Sequence, residues 1–314
     1  RRQRQMCIRD RNNILHVTDY LKEQIRAQGG DPQRETLDFV CAKSGEPYFI
    51  DSFGEYWRAY HFVEDAYALE EVKDPQDFYQ SAVAFGNFQR MLADFPADTL
   101  TETIAGFHDT KARFAAFEQA VEEDVCGRAA GVQQEIRFIK DRYDVACVLG
   151  DLLEAGELPL RVTHNDTKLN NILFDESTDK GLCIIDLDTI MPGLAANDFG
   201  DSIRFGAATA QEDEKNLDLV HFDINLYEMY VKGYLEETKD ALTDAEIKSL
   251  AWGARIITLE CGIRFLTDYL QGDTYFKTSY PEHNLVRART QFKLVYEMEQ
   301  QFEDCLLYTS PSPR

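Results

Sequence analysis

The segment His164-Asn165-Asp166-Thr167-Lys168-Leu169-Asn170-Asn171, with the run Cys183-Ile184-Ile185-Asp186-Leu187-Asp188 after it, says more about this chain than the rest of its sequence. An Asp followed on a loop by an Asn, and then an Asp closing a short apolar strand, bring together a base and two oxygen donors for a hard cation. Those residue types in that order are the equipment of metal-assisted phosphoryl transfer. No other segment is as specific.

Asp166 stands two residues past a His and is the candidate catalytic base, the group that orients an acceptor hydroxyl and takes its proton. A lone loop Asp is as readily a helix N-cap; the pairing with Asn171 and Asp186 argues for catalysis. Asn171 and Asp186 are the candidate Mg²⁺ ligands. Asp188, on the same side of the strand as Asp186, is either a further metal ligand or a turn cap. Lys168 is placed to touch a transferring phosphate, and His164 to buttress the loop by hydrogen bonds. Further on, Asp198 and Asp201 read as structural acids. The Asp198-Phe199-Gly200 triplet is not the metal motif, because Asp186 already fills that position.

The 314 residues, 44% hydrophobic and 28% charged, have a globular composition with room for two lobes. No apolar run reaches the roughly 18 residues of a membrane helix, and no secretory pattern opens the chain, which makes the cytoplasm the default location. A formal charge of −23 argues against nucleic acid as a partner. The cysteines show no C-x-x-C pairing, so neither a disulfide framework nor a zinc site is expected.

Apolar residues at Ile14, Val17, Leu21 and Ile25 make residues 12–27 an amphipathic helix. Residues 36–42, 47–53 and 57–63 are β-rich and read as a short antiparallel sheet closing a small lobe near Glu64. Helical patterns follow at 78–92, 100–107, 111–122, 131–155, 222–235, 245–269 and 285–302. Strands are expected at 160–162, 172–174 and 183–185, with Met191-Pro192-Gly193 as a turn. The expected fold is α+β and protein-kinase-like: a truncated small N-lobe over residues 12–64, with a partial sheet, one helix and a hinge, then a large helical C-lobe over 65–304 holding the catalytic loop. Alternating βαβ units and a G-x-x-x-x-G-K-[ST] loop are both missing, which disfavours a P-loop kinase.

Read in order, HNDTKLNNILFD, IDLDTIMPG and DFGDSIRFGA, with the hinge-like Trp57-Arg58-Ala59-Tyr60-His61-Phe62-Val63-Glu64, resemble the aminoglycoside phosphotransferase and choline kinase superfamily. Within it the chain looks most like the N-acetylhexosamine 1-kinases, over nearly all of residues 12–304. The resemblance implies a small-molecule sugar substrate, phosphorylated at its anomeric hydroxyl with ATP and Mg²⁺. It implies Asp166 as the base beside the substrate, Asn171 and Asp186 as metal ligands, and adenine bonded to backbone near Phe62 and Val63. It also implies sugar contacts from the segment Arg264 to Tyr275, with Arg264, Tyr269 and Tyr275 as the contacting residues; for the two tyrosines packing of a helix end is the alternative. Competing readings are a kinase of an aminoglycoside or choline-like acceptor, which an acidic surface suits, and a non-catalytic nucleotide-binding scaffold, against which the set of Asp166, Asn171 and Asp186 speaks. Oligomeric state is not legible.

Residues 1–11 (RRQRQMCIRDR) are strongly basic, and residues 305–314 (CLLYTSPSPR) end in a Ser-Pro tract without helical or strand periodicity. Both resemble a translated sequencing adapter read in opposite orientations, which implies that the natural sequence runs on beyond residues 12 and 304. The family likeness then implies three earlier strands carrying a phosphate-covering loop and a basic residue, which Glu23 either faces or leaves for solvent. Without those strands nucleotide binding is expected to be poor.

Overall fold

The computed structural model describes residues 3–310, with side chains from Asn12 onward. In chain order the elements are α1 (Gln3–Ala27), β1 (Phe49–Ile50), β2 (Tyr56–Trp57), β3 (Ala66–Ala68), α2 (Pro75–Met91), α3 (Thr110–Glu123), α4 (Gln133–Lys140) and α5 (Tyr143–Glu154). Then come β4 (Arg161–Thr163), β5 (Ile172–Asp175), β6 (Gly181–Ile184), β7 (Met191–Gly193) and α6 (Ala195–Gly206). The chain finishes with α7 (Ile224–Thr238), α8 (Asp244–Leu270), α9 (His283–Gln300) and α10 (Phe302–Tyr308). They form two compact units.

The first unit comprises the chain up to Ala105, Leu160–Ala195 and Met229–Leu242. Ile14, Val17, Leu21 and Ile25 of α1 are buried, as their spacing requires. Asn13, also buried, fixes the helix to its surroundings: its Nδ2 donates to Ile190 O at 2.8 Å and to Thr101 O at 2.7 Å, while its Oδ1 accepts from Thr101 N–H at 2.9 Å. α2 begins at an Asp74–Asp77 capping box with Pro75 behind it and buries Phe78, Phe85 and Phe88. β5 is the centre of a three-stranded antiparallel sheet, with β3 on one side and β6 on the other. β4 pairs antiparallel with β7, Val162 opposite Pro192.

The second unit comprises Gly106–Pro159, Ala196–Glu228 and the chain from Thr243 on. α8 and α9 are its spine, and α3 and α5 pack on α8. Phe114, Phe117, Ile139, Leu259, Ile263, Leu266, Phe292 and Val295 meet in its core. α6 crosses α8 with almost no space: a Cβ on Gly253 would lie 2.0 Å from Ala196 O, and one on Gly200 2.3 Å from Gly253 O. Only glycine admits two backbones that close.

The expected α+β fold is present, with small sheets and a large helical part. Its elements depart from the sequence reading at several points. The β-rich runs at 47–53 and 57–63 shrink to a two-pair hairpin, β1–β2, on which Phe49 and Trp57 are 60% and 62% exposed; a ladder without burial has little to extend it. Residues 100–107 form no helix, because the peptide groups of Thr101 are held by Asn13 instead. The pattern at 131–155 breaks into α4 and α5 at Arg142, whose guanidinium reaches Glu299 at 2.7 and 2.9 Å. Met191-Pro192-Gly193 is the edge strand β7, where proline is tolerated.

At the ends, α1 begins at Gln3, and residues 302–308 form α10 with Cys305 buried, although no periodicity marked residues 305–314. Residues 1, 2 and 311–314 of those end segments lie outside the described residues. Among the described residues no helix is long and apolar enough to cross a membrane.

Candidate active site

β4 delivers the chain to His164, and a sharp turn follows at Asn165, whose φ of 64° lies in the left-handed region that Asn tolerates. The Asn165 side chain holds that turn by donating to Thr163 O at 3.2 Å and Thr189 O at 2.8 Å. His164 is fully buried, edge-on to Phe85 and Phe88. Its Nδ1 accepts from Asp166 N–H at 3.2 Å, so Nε2 carries the proton and donates to Ile185 O at 2.9 Å. The ring thus ties the turn to the end of β6, the buttress its position suggested.

Asp166 leaves this turn partly exposed. Its Oδ1 lies 2.6 Å from Lys168 Nζ, and its Oδ2 accepts from Asn171 Nδ2 at 3.2 Å. Asn171 Nδ2 also donates to Asp166 O at 2.8 Å, which fixes the amide and directs Oδ1 away from the loop. A single 3-10 turn, Leu169–Asn171, sets this spacing. Ile185 N–H then donates to Asn171 O at 2.9 Å, and Ile172 opposes Ile184 across the β5–β6 ladder. The loop Asn and the strand-terminal Asp186 are therefore neighbours by register.

Asp186 adopts a left-handed conformation, φ 58° and ψ 52°, that turns the chain out of β6. Half-burial, and then the carboxylates of Asp188 and Asp166, hold its carboxyl above the ordinary carboxylate range, with His164 and Arg58 opposing. Asp188 forms an ion pair with Arg58, a contact the sequence reading did not foresee. The donor set offered by Asn171, Asp186 and Asp188 is one amide and two carboxylates, all hard oxygens, in a place where negative charge is crowded; that chemistry fits Mg²⁺. Among the described residues no group of three His, Cys, Asp or Glu side chains forms a ready metal cage.

Phe62 is 85% exposed and Val63 6%. On one side His61 N–H donates to Asp38 O at 2.8 Å, and on the other Glu64 O accepts from Arg34 at 3.1 Å. Among the described residues, the peptide groups of Phe62 and Val63 enter no hydrogen bond of the fold.

Arg264 and Tyr275 belong to the second unit. Arg264 lies over the rings of Phe107 and Phe276, 5.5 Å from each centroid. Tyr275 is exposed on a loop built around the buried carboxylate of Asp268, which accepts the N–H groups of Thr274, Tyr275 and Phe276 at 2.8 to 3.0 Å. Tyr275 is 68% exposed, with its ring edge-on to that of Phe276 at 4.8 Å.

Residues 32–243 match the phosphotransferase enzyme family. This chain belongs to that family, and it is a kinase. Its fold is similar to that of an aminoglycoside phosphotransferase from Alicyclobacillus acidocaldarius, at 14% identity and a TM-score of 0.59, with 93% of this chain and 84% of that one covered. It is similar to a microcompartment-associated aminopropanol kinase at 14% identity and 0.54, covering 95% and 84%. It is also similar to an ethanolamine kinase of Plasmodium vivax at 16% identity and 0.51, covering 90% and 73%.

In this phosphotransferase the Asp198-Phe199-Gly200 triplet lies inside α6, where Gly200 serves the crossing with α8 and Asp201 is bonded to Arg204 at 2.9 Å. Both acids are buried, in keeping with structural roles. Sequence reasoning missed Asn13, Arg58, Asp268 and the cluster of His108, Arg113 and Glu260 near Arg264. Asn13, Arg58, His108 and Glu260 bond residues far away in the chain, so no local pattern marks them; Asp268 bonds N–H groups of the loop that follows its helix.

Proposed function

We propose that this phosphotransferase moves the terminal phosphoryl group of ATP, with Mg²⁺, to the anomeric hydroxyl of an N-acetylhexosamine. The observation that carries the reading is the arrangement of Asp166 between Lys168 and Asn171, with Asp186 beside Asn171 by register. Asp166 takes the proton of the acceptor hydroxyl as its oxygen bonds to phosphorus, and the bond from phosphorus to the bridging oxygen breaks to leave ADP. Lys168, already at Asp166, supplies a positive charge to the phosphoryl oxygens. Asn171 orients Asp166 through Nδ2. Asn171, Asp186 and Asp188 would hold Mg²⁺, which would supply positive charge to the phosphate oxygens. The peptide groups of Phe62 and Val63 receive the adenine edge. The hexosamine acceptor rests on the motif resemblance alone.

A second reading has its own support: the formal charge of −23 suits a cationic acceptor, and proteins of similar fold carry the names aminoglycoside phosphotransferase, ethanolamine kinase and aminopropanol kinase. ADP release is measured with N-acetylglucosamine, N-acetylgalactosamine, choline and kanamycin. Turnover on a hexosamine, with phosphate at the anomeric carbon, supports the first reading; turnover on choline or kanamycin alone replaces it with the second. Asp166→Asn keeps the shape of the loop and is expected to lower kcat by about 10²- to 10⁴-fold with ATP affinity retained. Unchanged turnover removes Asp166 from the chemistry.

A further inference from the structure

Two of the three carboxylates at the candidate site already carry a cation of the chain itself: Asp166 holds Lys168 at 2.6 Å, and Asp188 holds Arg58. Arg58 stands just past β2, 130 residues before its partner. The backbone on each side of this pair is fixed. The segment that Arg58 leads pairs with residues 38–40: Val40 N–H donates to Ala59 O and His61 N–H to Asp38 O, both at 2.8 Å, and Phe39 opposes Tyr60. Lys22 of α1 bonds Asp38 in turn at 2.9 Å. The short turn that carries Asp188 buries Leu187 and Ile190. There Ile190 O accepts from Asn13 and Thr189 O from Asn165, both at 2.8 Å, and Thr189 Oγ1 donates to His164 O at 2.6 Å. All these residues belong to the first unit, and what is left to move is the two side chains. Those of Arg58 and Asp188 are 32% and 49% exposed, so the pair is open to water and to a competing ion.

We infer that Arg58 is a resident counter-ion that competes with a divalent cation for Asp188, so that the ion pair opens as the metal binds and closes as it leaves. This rests on the proposed metal role of Asn171, Asp186 and Asp188. A carboxylate oxygen that accepts from a guanidinium has lost much of its attraction for a second cation. The carboxylates of Asp186 and Asp188 repel each other, and Arg58, bonded to Asp188 alone, offsets that only in part. A divalent cation bonded to both brings twice the charge. The exchange sets a threshold on the site, because metal must displace Arg58 before Asp188 can serve it. For a water-exposed pair that threshold amounts to about a two- to fivefold loss of metal affinity. An ion pair that only ties the chain after β2 to the turn has no such effect.

The test is titration of the full chain with Mn²⁺ alone, without nucleotide and at fixed pH and ionic strength, the free ion being read by its electron paramagnetic resonance. Arg58→Gln is expected to bind Mn²⁺ about two- to fivefold more tightly than the wild type, while Arg58→Lys, which keeps the charge, stays near the wild-type value. Asp188→Asn is expected to bind more weakly, and adding Arg58→Gln to it should gain nothing. Near-UV circular dichroism confirms that each variant is folded. Equal or weaker binding by Arg58→Gln overturns the inference. A gain that persists in the Asp188→Asn background also overturns it, since Arg58 then acts through the general field and not through Asp188. Wild-type affinity in Asp188→Asn does so independently of any Arg58 variant, and so does a lack of saturable Mn²⁺ binding. Turnover that depends on Mg²⁺, with Mn²⁺ affinity indifferent to Arg58, sinks this inference and leaves the proposed function standing; the exchange observed with no acceptor turned over does the reverse.

Discussion

Gly253→Ala should destabilise the second unit, while the same change at Gly150 should stabilise it. Both glycines lie inside helices, α8 and α5, where alanine gains about 1 kcal/mol from the lower backbone entropy of the unfolded chain. What differs is the space. At Gly150 the nearest atom to a new Cβ is Lys111 Cε at 3.7 Å, an ordinary contact with the end of a flexible side chain. At Gly253 the new Cβ would sit 2.0 Å from Ala196 O, 2.7 Å from Ala196 C and 3.0 Å from Ala196 Cβ. Backbone must therefore move, and α6 must lift from α8. Overpacking costs about 1–3 kcal/mol, and a backbone clash belongs at the upper end. Net of the propensity gain, Gly253→Ala should lose about 2 kcal/mol and Gly150→Ala gain about 0.5–1 kcal/mol. For a protein of this size the first corresponds to a Tm lower by roughly 4–8 °C. Scanning calorimetry of the wild type and both variants makes the comparison. A Gly253→Ala variant melting at or above the wild type refutes the close-crossing argument, whatever Gly150→Ala does.

Glu260 is driven up by its burial and down, by more, through His108, Arg264 and Thr110, so its folded value lies below the ordinary 4.5. A depressed carboxyl stabilises the fold above its unfolded value and loses that contribution as pH falls through the folded one. Urea midpoints of the wild type should therefore fall more steeply below about pH 4.5 than those of Glu260→Gln, and parallel curves would contradict this. Asn13→Ala removes three hydrogen bonds from a buried side chain and strands the peptide groups of Thr101, so a loss of about 2–3 kcal/mol is expected in urea unfolding. A loss below about 0.5 kcal/mol would show that the tie is not structural.

The proposed catalytic loop was legible because its chemistry is written in local spacing. Asp166, Lys168 and Asn171 lie within one turn of chain, and Asp186 follows at the end of the strand whose register with β5 brings it back. The helices of the second unit were legible for a similar reason, since their apolar stripes repeat with the helical period. What escaped depends on partners remote in sequence. Asn13 meets Ile190, Arg58 meets Asp188, and Arg142 meets Glu299. A β-rich run such as 47–53 promises a strand, but whether it becomes one is decided by what covers it, and Phe49 and Ile50 are exposed. Pro192 and Gly193 read as a turn because edge position, which permits proline in a strand, is a property of the sheet and not of the residues.

The charge pattern of the proposed catalytic loop explains why an amide stands at residue 171. Three carboxylates crowd this region; Asp166 is paired with Lys168 and Asp188 with Arg58, while Asp186 has no direct cationic partner among the described residues. Burial, and then the carboxylates of Asp188 and Asp166, push the Asp186 carboxyl up. A fourth carboxylate at 171 would add repulsion toward both Asp166 and Asp186 and would remove the Nδ2 donor that fixes Asp166. A hydrophobic residue would remove the donor and the oxygen together. The amide alone holds the proposed base through one atom while leaving a neutral oxygen beside Asp186 through the other, so in the proposed function attraction for a cation would be concentrated at the end of β6 without deforming the loop that positions Asp166.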